Sequence, residues 1–294
     1  MSIIDNFSFN ANLGGMAGGK GLIGLYIAGK LKYARIPFKV LRPDNSVRNN
    51  EKPGLSSRMS SHFFEAELFD TKNASSILSL LEPHIELYLF EELHMVEDTA
   101  GLFGVLDDMI DARLSLNILA LTNDTGARIF PIAAYCLSRG ANIKQHYGVC
   151  QHSDLCRGKA VYSQLIAKDG TVVEDSGPII ASGDVLGSEE KKIEGEVDYQ
   201  PRCRGHFNFE MPRSSTYQGG IFIPDPKRLP REQLPSWLLN RQKLVRERLD
   251  ERIKNSHHHK DSFFAEYPSS HLIAELRQRG RHKVKTYIQG IRRR

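Results

Sequence analysis

The sequence predicts an α/β fold built on a parallel sheet, and three observations predict it. A strand-like segment runs through a glycine cluster into a helix-like segment, and a second strand follows directly. Two further apolar runs are short and end in polar or acidic residues. Near residue 148 the composition changes to a Gly-, Asp-, Glu- and Cys-rich stretch with hairpin signals.

Residues 6–13 (NFSFNANL) alternate apolar and polar positions, as a strand does. From residue 20 to about 34, Leu22, Leu25, Tyr26 and Leu31 fall at spacings that fit one helical face. Residues 38–41 form the next strand, so this is a βαβ unit with a right-handed crossover. The runs 85–90 (IELYLF) and 116–121 (LNILAL) read as buried parallel strands, with an amphipathic helix at 97–113 between them. Residues 142–147 are a fifth strand candidate. Cys136, within FPIAAYCL, reads as a small core residue.

Within 148–207 the sequence AVYSQLIAKDGTVVED carries Asp169-Gly170, a strong turn signal. A Pro-containing linker follows, then a helix from about 236 to 254 with Trp237, Leu238, Val245, Leu249 and Ile253 along one side. Three parts are expected: an α/β domain at 1–147, a small metal-binding domain at 148–207, and a basic linker with a helical extension at 208–294.

The chain has 294 residues and 40 Lys and Arg against 35 Asp and Glu. That net charge of +5 divides unevenly, because residues 1–207 hold 21 basic and 26 acidic side chains while 208–294 hold 19 and 9. A basic extension points to an anionic partner such as nucleic acid, or to packing on the body or a neighbouring subunit. No apolar run approaches the roughly 20 residues of a membrane span, and the N-terminus lacks the order of a signal peptide. The expected compartment is the cytoplasm (that of the host, for a virus-encoded protein).

Residues Gly14, Gly15, Met16, Ala17, Gly18, Gly19 and Lys20 satisfy G-x-x-x-x-G-K between a strand and a helix. Such a phosphate loop wraps phosphate oxygens in backbone N–H groups, with the lysine neutralising charge. The next position, Gly21, lacks the Ser or Thr hydroxyl that normally reaches Mg²⁺. The run IELYLF ends in Glu91-Glu92-Leu93-His94. One carboxylate there suits Mg²⁺ and the other suits acceptance of a hydroxyl proton. Cys150, Cys156, Cys203 and His206 offer three sulfurs and an imidazole, enough for a tetrahedral structural zinc site, with His152 as a competing ligand.

Taken in order, residues 5–207 resemble the thymidine kinase family, whose members join a P-loop NTPase-like core to a zinc-binding lasso domain. Met16 matches a methionine common in that loop, and residues 55–58 (LSSR) resemble a Ser-Ser-Arg segment of the family. Residues 91–94 occupy the place of its Asp-Glu-x-Gln. The resemblance therefore gives Glu92 the catalytic-base role, with Glu91 and His94 on the Mg²⁺–ATP side. Residues 193–207 (IEGEVDYQPRCRGHF) resemble the lasso that closes over the base. Ile193, Gly195 and Tyr199 then contact the nucleoside, together with Asp124 and Thr125 after the strand at 116–121. The departures are Gly21, Glu91 in place of Asp, Thr125 in place of an aromatic, and Gly126 in place of Arg.

The resemblance implies a transferase: ATP-dependent phosphorylation of the 5′-hydroxyl of thymidine, a deoxynucleoside salvage step for DNA synthesis. It also implies ATP, Mg²⁺ and structural Zn²⁺ as cofactors, and a homotetramer. The alternative reading is a catalytically weakened pseudokinase, structural or nucleic-acid-binding through its basic extension.

Overall fold

In a computed structural model, residues 7–47, 52–57, 59–167, 169–172, 197–208 and 224–266 are described, with only the backbone course given for Val197 and for 253–266. Ile193, Gly195 and Arg58 lie outside these residues.

The chain begins with β1 (Phe9–Gly14), α1 (Lys20–Tyr33) and β2 (Phe38–Pro43). A hairpin of β3 (Gly54–Ser57) and β4 (Ser60–Glu65) leads to the short β5 (Glu67–Phe69) and α2 (Ile77–Leu80). Then come β6 (Leu87–Glu91), α3 (Thr99–Asp111), β7 (Ser115–Leu121), α4 (Pro131–Ser138) and β8 (Asn142–His146). The order β5-β2-β6-β7-β1-β8 makes one six-stranded sheet, and all its pairings are parallel. The carboxyl ends of β1, β6 and β7 therefore open on the same edge, where ligands collect in such sheets.

Side-chain alternation assigns the two faces. Phe9, Ala11 and Leu13 of β1 join Phe90, Ile118 and the α3 and α4 residues Phe103, Leu106 and Tyr135 in the larger core. On the opposite face Val40, Leu89 and Leu119 pack with Leu25, Ala28 and Leu31 of α1 and Leu55 of β3. Beside this second cluster β1 turns polar. Asn12 donates from Nδ2 to Asn117 Oδ1 (2.8 Å), and its Oδ1 accepts from His146 Nε2 (3.0 Å). The buried amide is thereby satisfied across three strands.

Only part of the expected α1 face is buried. Leu25 and Leu31 pack inward, but Leu22 and Tyr26 are exposed, Tyr26 by 62%. The packed face instead runs through Gly24 and Ala28. A Cβ at Gly24 would lie 2.6 Å from Leu119 Cδ1 and 2.8 Å from Leu55 Cδ1, so the helix sits too close for a larger residue. Small residues, which carry little weight in a hydrophobic pattern, set the contact face.

The smaller elements are β9 (Gly148–Val149), β10 (Lys159–Ala160), β11 (Tyr162–Ala167) and β12 (Val197–Arg202). β9 pairs with β10 and β11 with β12, both antiparallel. At the predicted Asp169-Gly170 turn, Ala167 N–H donates to Thr171 O, and Gly170 has φ +85°.

Residues 224–242 pack on the α/β body. Lys227 N–H donates to Ala100 O (2.8 Å), and Gly104 leaves room for the Lys227 carbonyl, which any Cβ there would strike. Arg228 reaches Asp108 (3.3 Å) and Asp111 (2.6 Å) of α3. The helix α5 (Ser236–Glu266) starts here, longer than expected, with Leu238 fully buried and Arg241 Nε donating to Ala112 O (2.7 Å). The chain divides into two compact units, residues 1–242 and 243–294. Among the described residues no helix is long and apolar enough to cross a membrane.

Candidate functional site

β1 ends at Gly14, and the loop to Lys20 is shaped by space and by backbone sign. A Cβ at Gly14 would overlap the His146 carbonyl of β8. Gly19 has φ +81° and Ala17 has φ +54°, the left-handed region. The Lys20 ammonium donates to the carbonyls of Gly15 (2.8 Å) and Gly14 (3.3 Å), so the loop closes around it. Burial pushes the Lys20 pKa down, while the charges of Glu92 and Glu91 oppose that shift. Gly19 gives α1 no side-chain cap, and its first turn holds no acid. Its leading N–H groups thus suit an anionic ligand.

The paired carboxylates sit at the end of β6. Glu91 is buried, with Arg42 Nη1 3.9 Å from its Oε2. Arg42 is itself fixed by Ser46, donating to its hydroxyl and carbonyl, each at 2.7 Å. Glu92 follows with φ +58°, in the left-handed region, just before the short turn that carries His94. Such a conformation in a non-glycine residue is held by its surroundings and recurs at functional sites.

His94 orients Glu92. Its Nδ1 accepts the Leu121 N–H (3.3 Å), and its Nε2 lies 3.2 Å from Glu92 Oε2. An accepting Nδ1 places the proton on Nε2, which then donates to the carboxylate. Burial lowers the His94 pKa to about 4, against the pull of Glu92 and with the repulsion of Lys20. The imidazole is therefore neutral at physiological pH, and the arrangement is that of a base held by a third group.

Asp124 and Thr125 follow β7 in a tight turn. Asp124 Oδ1 accepts from the Gly126 and Arg128 N–H groups (both 2.9 Å), and Oδ2 accepts from Arg128 Nε. Burial raises the Asp124 pKa. The turn lies beside the glycine loop, since Thr122 N–H donates to Gly14 O (3.2 Å). Asp124 and Arg128 thus organise the turn, and Arg128 is engaged there.

The Cys-rich module carries the candidate metal centre. Cys150, Cys156, Cys203 and His206 bring their donor atoms within 4.8 Å of one another. His206 Nδ1 is 3.6, 3.3 and 3.4 Å from the sulfurs of Cys150, Cys156 and Cys203, and Cys156 Sγ is 4.0 Å from Cys203 Sγ. Zinc with sulfur at about 2.3 Å and nitrogen at about 2.0–2.1 Å needs donor separations of about 3.6–3.8 Å in a tetrahedron. The residues fit. His152 stands outside the set, its ring stacked on His206 with centroids 4.2 Å apart. Gly158 makes the knuckle possible, because a Cβ there would come within 2.8 Å of Cys203 Cβ. Although burial acts against it, N–H groups of Cys203 and His152 and the neighbouring ligands lower the Cys150 pKa to about 6, which favours the thiolate a metal needs.

This module touches the glycine loop. Met16 N–H donates to Ser163 Oγ of β11 (3.1 Å), and Gly148 lies against the Met16 and Ala17 carbonyls, where a Cβ would be at 3.0 and 3.3 Å. Opposite residues in the β11–β12 ribbon are Ser163 with Pro201 and Leu165 with Tyr199. By strand alternation Tyr199 shares the face of Ser163, the one turned toward the loop. Ser163, Gly158 and His94 as orienter were not evident from sequence. Ser163 and Gly158 act on partners distant along the chain, and the His94 tautomer that orients Glu92 is set by Leu121, 27 residues on, so no local pattern marks them.

Searches against protein-family models and curated proteins found no match for this chain.

Proposed function

We propose that this protein is a thymidine-kinase-like phosphotransferase, moving the γ-phosphoryl group of ATP to the 5′-hydroxyl of thymidine or a related deoxynucleoside. The observation that carries the reading is one edge of the sheet. There Lys20 closes a glycine loop, and Glu92, the charge that acts most strongly on Lys20, is held by a neutral His94.

In this reading the loop amides and the α1 N-terminus bind the phosphates, and Lys20 leaves its carbonyl partners to neutralise their charge. Glu92 takes the 5′-hydroxyl proton as that oxygen attacks the γ-phosphorus and the bond to ADP breaks. His94 holds the carboxylate in place throughout. Tyr199, on the loop-facing side of its ribbon, lies against the nucleoside. Glu91 would hold Mg²⁺, and the metal would supply neutralisation of phosphate charge there. The Cys₃His set holds zinc as a structural staple for the module carrying Tyr199.

The test is TMP formation from ATP and thymidine by zinc-loaded protein, compared with Glu92→Gln. Activity falling by at least 10²-fold in the variant, with ATP binding retained, supports the assignment. A wild-type protein that phosphorylates no deoxynucleoside refutes it.

The second reading, a non-catalytic scaffold acting through residues 208–294, rests on their 19 basic against 9 acidic side chains. It requires strongly salt-dependent nucleic-acid binding that is lost when the residues beyond 242 are deleted.

A further inference from the structure

A P-loop normally presents a hydroxyl to the metal from the residue after its lysine. Gly21 has none, and the structure shows why no side chain could be added. A Cβ at Gly21 would lie 2.5 Å from the Ser56 carbonyl oxygen and 3.8 Å from Ser57 Cβ. Strand β3 therefore occupies the space that the missing side chain would fill. It is held there from both sides: Leu55 is fully buried against Gly24 of α1, and β3 pairs with β4 at Leu55–Phe64 and Ser57–Ser60. The register shifts between Leu55 and Ser57, so Ser56 sits at a bulge that re-aims the backbone toward the start of α1.

We propose that Ser57 supplies, from β3, the metal-directed hydroxyl that Gly21 lacks. Ser57 is the side chain nearest the vacated position and is half-buried, whereas the Ser56 side chain is exposed. A hydroxyl from a neighbouring strand, a carboxylate, phosphate oxygens and water are the oxygen ligands that a hard divalent cation takes, so Ser57 would join Glu91 as a protein ligand. Gly21 is then the steric counterpart of Ser57, whose Cβ lies 3.8 Å from the vacated position and whose Oγ, accepting the Met59 N–H (3.3 Å) in the hairpin turn, would exchange that contact for the metal. The proposal rests on the nucleotide-binding reading above, and its test separates the two.

ATP binding to the full-length, zinc-loaded protein is measured by calorimetry with and without Mg²⁺, for wild type, Ser57→Ala, Ser57→Thr and the control Ser56→Ala. Mn²⁺ binding in the presence of ATP is followed by electron paramagnetic resonance on the same proteins. Thermal unfolding establishes that each variant folds. The expected result is metal-free ATP affinity unchanged in Ser57→Ala, with Mg²⁺ enhancement and Mn²⁺ affinity reduced about tenfold or more. Ser57→Thr and Ser56→Ala keep both. Ser57→Ala binding metal and ATP like wild type overturns the inference and leaves nucleotide binding standing, as does a wild type whose ATP affinity ignores Mg²⁺. A wild type that binds no ATP under either condition overturns both.

Discussion

Gly21→Ala tests the steric argument directly, because it adds the Cβ and nothing else. Gly21 lies within α1, so its backbone suits any residue and only space excludes one. The added carbon would meet the Ser56 oxygen at 2.5 Å, roughly 1 Å inside an ordinary contact. Neither partner yields cheaply, since α1 is fixed by Gly24 against Leu119 and β3 by buried Leu55. Overpacking of this kind costs about 1–3 kcal/mol. Gly29, on the same helix, has no atom within 4 Å of its would-be Cβ. Gly29→Ala therefore gains helix propensity, up to about 1 kcal/mol, without a clash. Both substitutions share that propensity gain, so the difference between them isolates the clash. We expect Gly21→Ala to lie about 1–3 kcal/mol below Gly29→Ala in urea unfolding, with Tm lower by roughly 2–12 °C. If Gly21→Ala is as stable as Gly29→Ala, β3 does not fill that space and the case for Ser57 falls with it.

The purified chain should retain one equivalent of zinc, measured by atomic absorption, and Cys203→Ala should lose it; full retention by the variant would remove Cys203 from the ligand set. Because Ser163 reaches Met16 from the strand paired with the one that leads into Cys203, Ser163→Ala should weaken ATP binding about fivefold, the worth of one hydrogen bond near 1 kcal/mol. An unchanged dissociation constant would show that the module does not brace the loop. His94 has a folded-state pKa of about 4 against an ordinary 6.5, so the unfolded chain binds more protons between those values. Stability from this group is present above pH 6.5 and is lost as pH falls toward 4, on the order of 3 kcal/mol. His94→Gln should flatten that part of the urea-stability profile, and an identical slope in both proteins would contradict the buried neutral imidazole. Arg228→Ala leaves Asp108 and Asp111 without their shared cation; a loss of roughly 1–2 kcal/mol is expected, discounted because Arg228 is half exposed. An unchanged Tm would show that the linker is not held by these ion pairs.

The parallel sheet was legible because each central strand is a short apolar run with a polar end, a local pattern that burial on both faces imposes. The β3–β4 hairpin and β5 were not, since Ser60–Glu65 and Glu67–Phe69 are largely exposed and carry no hydrophobic alternation. The packed face of α1 was misjudged for a related reason: Gly24 and Ala28 make the contact, and the larger Leu22 and Tyr26 face outward. At the metal centre the sequence left Cys156 and His152 in competition, and the fold gathers Cys156 with Cys150, Cys203 and His206 while His152 stacks on His206.

By itself, then, the sequence determined the order of the central strands, the glycine loop between β1 and α1, and the few Cys and His residues among which a metal set could be found. Those properties are written in neighbouring residues, through periodicity and spacing. Only the tertiary structure decided what surrounds Gly21, which proton His94 carries, and that Ser163 braces Met16. Each is a contact between segments distant along the chain, set by how strands and helices pack, and no local pattern encodes it. Gly21 shows the difference most plainly: in sequence it is a lost hydroxyl, and in the fold it is the space that Ser56 and Ser57 fill.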